Sequence, residues 1–171
     1  MKYLKKFNEI IGNGKYASYY NKSQDNFWGD IGGGCFVMSL STGRILLPYR
    51  SQYVNEPNTW GIWGGKLDKE EGQSEDNVED AVRREFTEES DFDGDIKLIP
   101  AFIFETPNKS FKYYNFIGLI NNEFTPKLDW ETESFKWVSF PELMSIEPKH
   151  FGLMGLLKDQ KSLETIKQYS K

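Results

Sequence analysis

The sequence predicts an α/β fold in which a mixed β-sheet lies between helices. Strand-like runs precede and follow one strongly helical segment, and further helical patterns occur toward the end of the sequence. The length of 171 residues suits one domain with a sizeable core, and no repeat or linker divides the chain. We therefore expect a single domain over residues 1–171.

Composition and charge narrow the class of protein. Aromatic residues make up 16% of the chain, which indicates a well-filled interior rather than disorder. No run approaches the roughly 18 apolar residues of a membrane span, and no signal peptide is recognisable. The formal net charge of −5 gives no support for general nucleic-acid or membrane-surface binding. A single cysteine allows no internal disulfide, so a cytoplasmic protein is expected.

The first half of the chain combines an irregular start with strand-like runs. Residues 1–30 are polar and rich in tyrosine, and we interpret them as a short helix and a loop. Two β-rich runs at 35–40 and 44–50 flank a Ser-Thr-Gly connection and predict a hairpin. A polar loop then leads to the segment 60–66, which contains two consecutive glycines.

The second half begins with a helix for which Ser74 is the expected N-cap and which ends near Ser90. The patterns that follow predict three strands, at 96–105, 111–120 and 135–139. Pro141-Glu142-Leu143 is expected to begin a short helix. Residues 151–169 predict a last helical stretch, with apolar positions at Leu153, Leu156, Leu157 and Leu163.

Three glutamates occupy unusual positions on the helix that ends near Ser90. At about 100° per residue, the apolar stripe of this helix carries Val78, Ala81, Val82 and Phe86. Glu85 and Glu89 fall on that stripe and Glu88 at its edge; the solvent side carries Glu79, Asp80, Arg83, Thr87 and Ser90. Carboxylates on a buried face lose solvation and repel one another unless a divalent cation binds their oxygens. The spacing therefore predicts a metal site.

The run from Arg84 to Phe92 closely resembles the second half of the Nudix hydrolase signature, which reads Arg-Glu-apolar-any-Glu-Glu-any-Gly-apolar. Gly64-Gly65-Lys66 is similar to the opening of that signature. The resemblance extends to the hairpin before it, two strands after it, a strand with Lys136-Trp137-Val138 and a Pro-Glu-Leu turn. It covers most of residues 33–157, does not include 1–30, and implies the Nudix α/β/α sandwich.

Two departures from the signature are visible. Gly65 and Arg84 are 19 positions apart, five more than in the family pattern, so the first glutamate of the signature stays unassigned between Glu71 and the Gly72-Gln73 pair. Asp91 stands where the family has glycine after the helix. Aspartate tolerates a left-handed backbone better than most residues, so we expect the helix to end there as in the family.

The resemblance implies hydrolysis of a phosphoanhydride bond in a small nucleotide, a nucleoside diphosphate linked to a further group X, with Mg²⁺ or Mn²⁺ as cofactor. A nucleoside triphosphate or a nucleotide sugar is the expected substrate. By resemblance, Glu85, Glu88, Glu89 and the Gly64 carbonyl hold the metal, with Glu88 and Glu89 also counted as catalytic. Arg84 is expected to orient a glutamate, and Arg50 and Lys66 are expected to contact phosphate.

The general base and the base-stacking residue are less closely defined. Glu133 is the catalytic candidate for the base, with Glu131 beside it and Glu105 behind them. Trp60 and Tyr114 are the candidates for stacking on a nucleobase, with Tyr113 as an alternative. Core packing is the commoner role of Trp60 and Trp63. Tyr113 and Tyr114 alternate across one strand, so at most one of them is expected to face the pocket.

Other residues and functions remain as alternatives. His150 is expected to begin or pack a helix, and Cys35 to be a small buried strand residue. The superfamily also contains an isomerase with a catalytic cysteine, but Cys35 lies outside any matching motif. The alternative function is a Nudix-fold module that senses a nucleotide without cleaving it. A homodimer contact through the aromatic N-terminus is left open.

Overall fold

The computed structural model describes residues 31–66, 78–106 and 111–171. The strands in these ranges are β1 (Ile31–Ser39), β2 (Ile45–Arg50), β3 (Trp63–Lys66), β4 (Lys97–Glu105), β5 (Lys112–Ile120) and β6 (Thr132–Val138). The helices are α1 (Val78–Ser90), α2 (Phe140–Ser145), α3 (Phe151–Lys158) and α4 (Gln160–Tyr169). The strands predicted at 96–105, 111–120 and 135–139 are thus confirmed as β4, β5 and β6, and β3 is an additional strand.

β1 is the strand on which the sheet is organised. The strand order is β4-β5-β1-β2-β6, and β3 also pairs with β1. β5 runs parallel to β1 from Ile31 opposite Lys112 to Ser39 opposite Ile120. The other edge of β1 is shared, because β3 pairs with Gly32–Cys35 and β2 with Val37 and Met38, both antiparallel. The sheet is therefore mixed, and the predicted β1–β2 hairpin is confirmed.

Helices cover both faces of the sheet. On one face, α1 packs its apolar residues against β1 and β5, in a core that includes Cys35, Trp63 and Phe86. On the other face, α2, α3 and α4 pack against the sheet through a core that includes Leu143, Leu153, Leu156 and Ile166. Cys35 is fully buried, as expected for a small strand residue. These layers confirm the α/β/α sandwich.

The helical stretch predicted at 151–169 is confirmed, and it consists of two helices, α3 and α4, that meet at Asp159. The Asp159 N–H closes α3 on the Gly155 carbonyl at 3.1 Å. Its carboxylate then accepts the Ser162 N–H at 2.9 Å and begins α4. An aspartate that caps a helix start competes with continuation of the helix before it, which explains the break. In the described ranges, helices long and apolar enough to cross a membrane are absent.

The end of α1 differs from the expectation in one residue. Ser90 was assigned to the solvent side, but it is fully buried, and its hydroxyl donates to the Phe86 carbonyl at 2.5 Å. The Lys127 N–H reaches the Ser90 carbonyl at 3.0 Å, so the segment before β6 covers this end of the helix. Asp91 adopts a φ of 57°, which confirms the left-handed helix end. Ser74, Glu71, the Gly72-Gln73 pair and the five-residue insertion lie outside the described residues.

Candidate active site

Two of the three glutamates of α1 lie against the glycine pair of β3. The Gly64 N–H donates to the Glu89 carboxylate at 3.0 Å. A Cβ added to Gly65 would lie 2.4 Å from the Glu85 Oε2 atom, so that carboxylate touches the strand. The approach is possible because Gly33 of β1 lets the side chains of α1 pack directly on the sheet. Glu85 and Glu89 therefore flank the Gly64–Gly65 peptide.

Arg84 forms ion pairs with two glutamates of the same helix, Glu85 and Glu88. Its Nη2 atom lies 2.8 Å from the Glu85 Oε1 atom, and its Nη1 atom lies 2.8 Å from the Glu88 Oε2 atom. The Glu88 side chain is 59% exposed, whereas that of Glu85 is 19% exposed. Arg84 thus holds Glu85 at the strand and draws Glu88 toward solvent.

Negative charge accumulates around Glu89. Burial raises the pKa of the Glu89 carboxyl well above its ordinary value, the Gly64 N–H opposes this shift, and Glu85, Glu131 and Asp129 raise the pKa further. Burial and Asp129 also raise the pKa of Glu131, and the Arg50 guanidinium opposes that shift. Carboxylates from α1 and from the segment before β6 therefore face one region, where a cation would relieve their repulsion.

The described side chains do not form a closed set of ligands for a cation. Among the described residues, no three His, Cys, Asp or Glu side chains converge closely enough to hold a metal ion. In this structure the Glu88 carboxylate is paired with Arg84 at 2.8 Å and is largely exposed, and the assignment of Glu85, Glu88 and Glu89 as metal ligands stays a prediction. The donor set still suits a hard cation, since carboxylate oxygens are its preferred ligands. An exposed i,i+4 pair such as Arg84–Glu88 stabilises by only about 0.3–0.5 kcal/mol, so exchanging it for a cation costs little.

Arg50 lies at the same end of the sheet. It ends β2, pairs across the sheet with Thr132, and its Nε atom donates to the Asn55 carbonyl at 3.0 Å. This position brings the Arg50 charge close to Glu131, which explains why Arg50 opposes the rise of the Glu131 pKa. Lys66 pairs through its main chain with Gly32, and its side chain lies outside the described part of the chain.

The aromatic candidates are not placed equally. Trp60 is only 6% exposed. Its ring centroid lies 4.8 Å from the ring centroid of Tyr49 and 5.0 Å from the Lys136 Nζ atom. This environment favours the core-packing role, so Trp60 leaves the set of stacking candidates. Tyr114 packs on the α1 side of β5 and lines a surface cavity with residues of the first turn of α1. Tyr113 packs on the opposite face, which confirms the alternation of the two rings.

The candidates for the general base separate in the structure. Glu133 is exposed and is the residue passed over where the β2–β6 register shifts between Tyr49 and Arg50. Glu131 precedes that bulge, and its negative charge raises the pKa of Glu89. Glu105 lies opposite Lys112 at the end of the outer strand β4. Glu131 is therefore better placed than Glu133 or Glu105 to act near Glu89.

His150 has the structural role that was expected of it. Its Nδ1 atom accepts the Gly152 N–H at 3.1 Å and caps the start of α3. Burial, aided by the Arg50 charge, lowers the pKa of His150 well below its ordinary value, so the ring is neutral at pH 7. The Glu56 carboxylate accepts the Phe151 N–H of the same helix at 3.2 Å.

Sequence reasoning missed three residues near this region. Asp129 contributes to the charge at Glu89, and Trp130 and Tyr53 are among the most exposed aromatic side chains of the described ranges. All three lie in loops without a motif. The available signal was that Asp129 and Trp130 directly precede Glu131 in the sequence, and that Glu131 is a candidate for the general base.

Comparisons with known proteins agree with the fold and with the arrangement of the site. A family model described as the NUDIX domain matches residues 32–158. No curated protein sequence matches the chain significantly. Among solved structures, the Nudix hydrolase RenU from M. smegmatis has a TM-score of 0.61 at 16% identity, covering 82% of this chain and 86% of that one.

Two further structures show the range of proteins with this fold. An Ap4A hydrolase from C. elegans, solved as a binary complex, has a TM-score of 0.59 at 18% identity, covering 81% of this chain and 96% of that one. The NUDIX domain of Shewanella oneidensis NrtR, complexed with ADP ribose, has a TM-score of 0.58 at 14% identity, covering 89% and 98%. At these identities the likeness concerns the fold.

Proposed function

The chain belongs to the Nudix family, and from this premise we propose that it hydrolyses a phosphoanhydride bond in a nucleoside diphosphate linked to a further group, with Mg²⁺ or Mn²⁺ as cofactor. As a family member it is a Nudix pyrophosphohydrolase, acting on acid anhydrides. The substrate class, the cation and the residues that act are the subject of the proposal. A nucleoside triphosphate or a nucleotide sugar is the expected substrate, and the cytoplasm the expected location.

The carboxylates around Gly64 carry this proposal. Glu85 and Glu89 contact the Gly64–Gly65 segment from the helix, and Glu131 and Asp129 add charge from the segment before β6. Such a group without a cation repels itself and would also repel the phosphates of a substrate. A divalent cation reverses the sign of the site, which makes binding of an anionic nucleotide compatible with an acidic protein.

The cation would be held by Glu85 and Glu89, with Glu88 and the Gly64 carbonyl as further ligands. When bound, it neutralises phosphate oxygens and lowers the pKa of a water molecule. Arg84 keeps Glu85 oriented through their 2.8 Å ion pair. Arg50 offers a planar guanidinium that suits bidentate binding of a phosphate group.

Glu131 is the proposed general base. Water attacks one phosphorus atom, its proton passes to the Glu131 carboxylate, and the bond from that phosphorus to the bridging oxygen breaks. The products are a nucleoside monophosphate and the phosphorylated remainder. The raised pKa of Glu131 favours this role, because a base with a pKa closer to neutral accepts a proton more effectively.

A nucleotide sensor is the second candidate. The exposed position of Glu88, which is paired with Arg84, favours it. A sensor binds Mg²⁺ and nucleotide without forming product, so turnover separates the two functions.

The test is a phosphate- and pyrophosphate-release screen with Mg²⁺ and Mn²⁺. Its panel contains nucleoside triphosphates, nucleotide sugars, ADP-ribose and dinucleoside polyphosphates. Glu85→Gln and Glu89→Gln are expected to lower kcat by about 100-fold or more. Glu79→Gln is the matched control, because Glu79 lies on the same helix with its side chain 52% exposed. Equal activity of all three variants would contradict the metal assignment.

A further inference from the structure

Two large aromatic side chains project into solvent from neighbouring loops. Tyr53 is 73% exposed and Trp130 is 63% exposed. The loops that carry them are joined by a hydrogen bond from the Ser51 N–H to the Glu131 carbonyl at 2.8 Å. In the same loop as Ser51, the Tyr53 N–H donates a hydrogen bond to the Ser51 hydroxyl at 3.3 Å. The two aromatic residues therefore lie on adjoining loops, and we call the Tyr53 and Trp130 side chains together the rim.

This rim borders the carboxylates of the proposed site. Trp130 lies between Asp129 and Glu131, and both of these carboxylates act on Glu89. The Glu131 N–H donates to the Asp129 Oδ1 atom at 2.9 Å, which fixes the short turn with Trp130 at its middle. On the Tyr53 side, the loop follows directly after Arg50.

The position and chemistry of the rim fit one part of a nucleotide. A nucleotide with its phosphates at Arg50 and the carboxylates would have its nucleobase near the rim, since Tyr53 follows Arg50 by three positions and Trp130 adjoins Glu131. Large exposed aromatic surfaces are costly in water, and a planar base covers them by stacking. Trp60 is unavailable for this purpose because it is buried, and Tyr114 lines a cavity beside Glu79 and Asp80 in the first turn of α1 rather than beside Glu85 and Glu89.

We propose that Trp130 and Tyr53 form the stacking surface for the nucleobase of the substrate. The proposal rests on the proposed function for the location of the phosphates. Stacking on aromatic rings is tolerant of base identity, so this surface distinguishes nucleotides from phosphates without a base rather than one base from another. Each stacked ring accounts for about 5- to 150-fold in affinity.

The test measures binding without turnover. Adenosine, guanosine, cytidine and uridine monophosphates and ribose 5-phosphate are titrated by calorimetry into the full chain with Mg²⁺ present. The variants are Trp130→Ala, Tyr53→Ala and Trp130→Phe, and the control is Leu40→Ala. Leu40 is 40% exposed and lies just after the opposite end of β1, far from the glycine segment. Thermal melts verify that each variant is folded.

We expect wild type to bind at least one monophosphate about tenfold or more tightly than ribose 5-phosphate. Trp130→Ala should remove most of that preference, Tyr53→Ala part of it, and Trp130→Phe and Leu40→Ala little. An unchanged preference in Trp130→Ala overturns the proposal. So does a dimer in sedimentation experiments that Trp130→Ala dissociates, because a second copy would then cover the rim.

The outcomes also separate this proposal from the proposed function. If no substrate is hydrolysed but the Trp130-dependent preference is present, the stacking surface is supported and the hydrolase proposal fails. If hydrolysis occurs and Trp130→Ala changes kcat/KM equally for nucleotides and for base-free pyrophosphates, the hydrolase proposal is supported and the stacking surface is rejected.

Discussion

The Gly64 N–H donates a hydrogen bond to the Glu89 carboxylate at 3.0 Å and so ties helix α1 to strand β3. Gly64 has a φ of 136°, a backbone conformation that residues with a Cβ rarely adopt. The main chain can therefore present this N–H to the helix only because the residue is glycine. The same contact places a carboxylate of raised pKa beside the strand, where its charge state matters for both stability and metal binding.

The first prediction concerns the pH dependence of stability without metal. Burial raises the folded-state pKa of Glu89, so its contribution to stability is complete below the unfolded pKa and is lost as the pH rises through the folded pKa. We expect the free energy of unfolding in EDTA to fall as the pH rises from the ordinary range of glutamate. Glu89→Gln should show a shallower fall, measured by urea denaturation from about pH 5 to pH 9.

Other groups have to be separated from this effect. The pKa of Glu56 and that of Glu131 are also raised, chiefly by burial, and act with the same sign in both proteins. His150 acts in the opposite direction, because its lowered pKa costs stability as the pH falls below about 6.5. The difference between wild type and Glu89→Gln isolates Glu89. Parallel curves for the two proteins would refute the prediction.

Local patterns explain how much of the fold was predictable. The turn at Gly43, the apolar stripe of α1 and the left-handed Asp91 each depend on residues close in sequence, and their signals were correct. The parallel pairing of β1 with β5 was not predicted, because it joins Ile31 to Lys112 across 81 positions without any local signal. The helical range 151–169 was predicted from its apolar spacing, which continues through Asp159 and so gives no signal of the boundary between α3 and α4.

The candidate site divides in the same way. The metal candidates of α1 followed from helical spacing, and the structure places Glu85 and Glu89 against β3 as a buried-face position implies. The outward position of Glu88 depends on which rotamer Arg84 stabilises, and spacing alone does not decide that. Trp60 is a stacking candidate in the sequence, but its burial depends on Tyr49 across the strand pairing and on the segment 148–150, which is remote in sequence.

The second prediction compares the two candidates for the general base. Glu131→Gln is expected to lower kcat by about 100-fold with little change in KM, because it removes a proton acceptor without removing a phosphate contact. Glu133→Gln should have a much smaller effect, since Glu133 is exposed in the bulge of β6. Steady-state kinetics on the substrate found in the screen measure both. The reverse order would assign the role to Glu133.

The third prediction concerns the cap of α3. His150→Ala removes the acceptor of the Gly152 N–H, and we expect a loss of about 1 kcal/mol in the free energy of unfolding. His150→Asn should recover most of it, because asparagine is a good N-cap residue. Urea denaturation at neutral pH provides the measurement. If alanine and asparagine destabilise equally, packing of the ring rather than the cap is the relevant contribution.

The last prediction separates the two glycines of β3. A Cβ at Gly65 would meet the movable Glu85 carboxylate at 2.4 Å, whereas a Cβ at Gly64 would meet the Gly33 carbonyl oxygen and the Gly34 Cα atom, both also at 2.4 Å. Side-chain ends can move, but paired strands cannot. Gly64→Ala should therefore destabilise the protein by about 3 kcal/mol or more, through strain and overpacking together.

Gly65→Ala should instead leave the fold nearly intact and displace Glu85 from its position. A displacement of about 1 Å at a catalytic group can lower kcat by about 100-fold, so this variant is expected to be folded but poorly active. Thermal melts should show a large loss for Gly64→Ala and little for Gly65→Ala, whereas kcat of Gly65→Ala should be low although the protein is folded. Full activity of a folded Gly65→Ala protein would mean that Glu85 acts from another position than the one it occupies against β3, and its assignment as a metal ligand would then lose its structural basis.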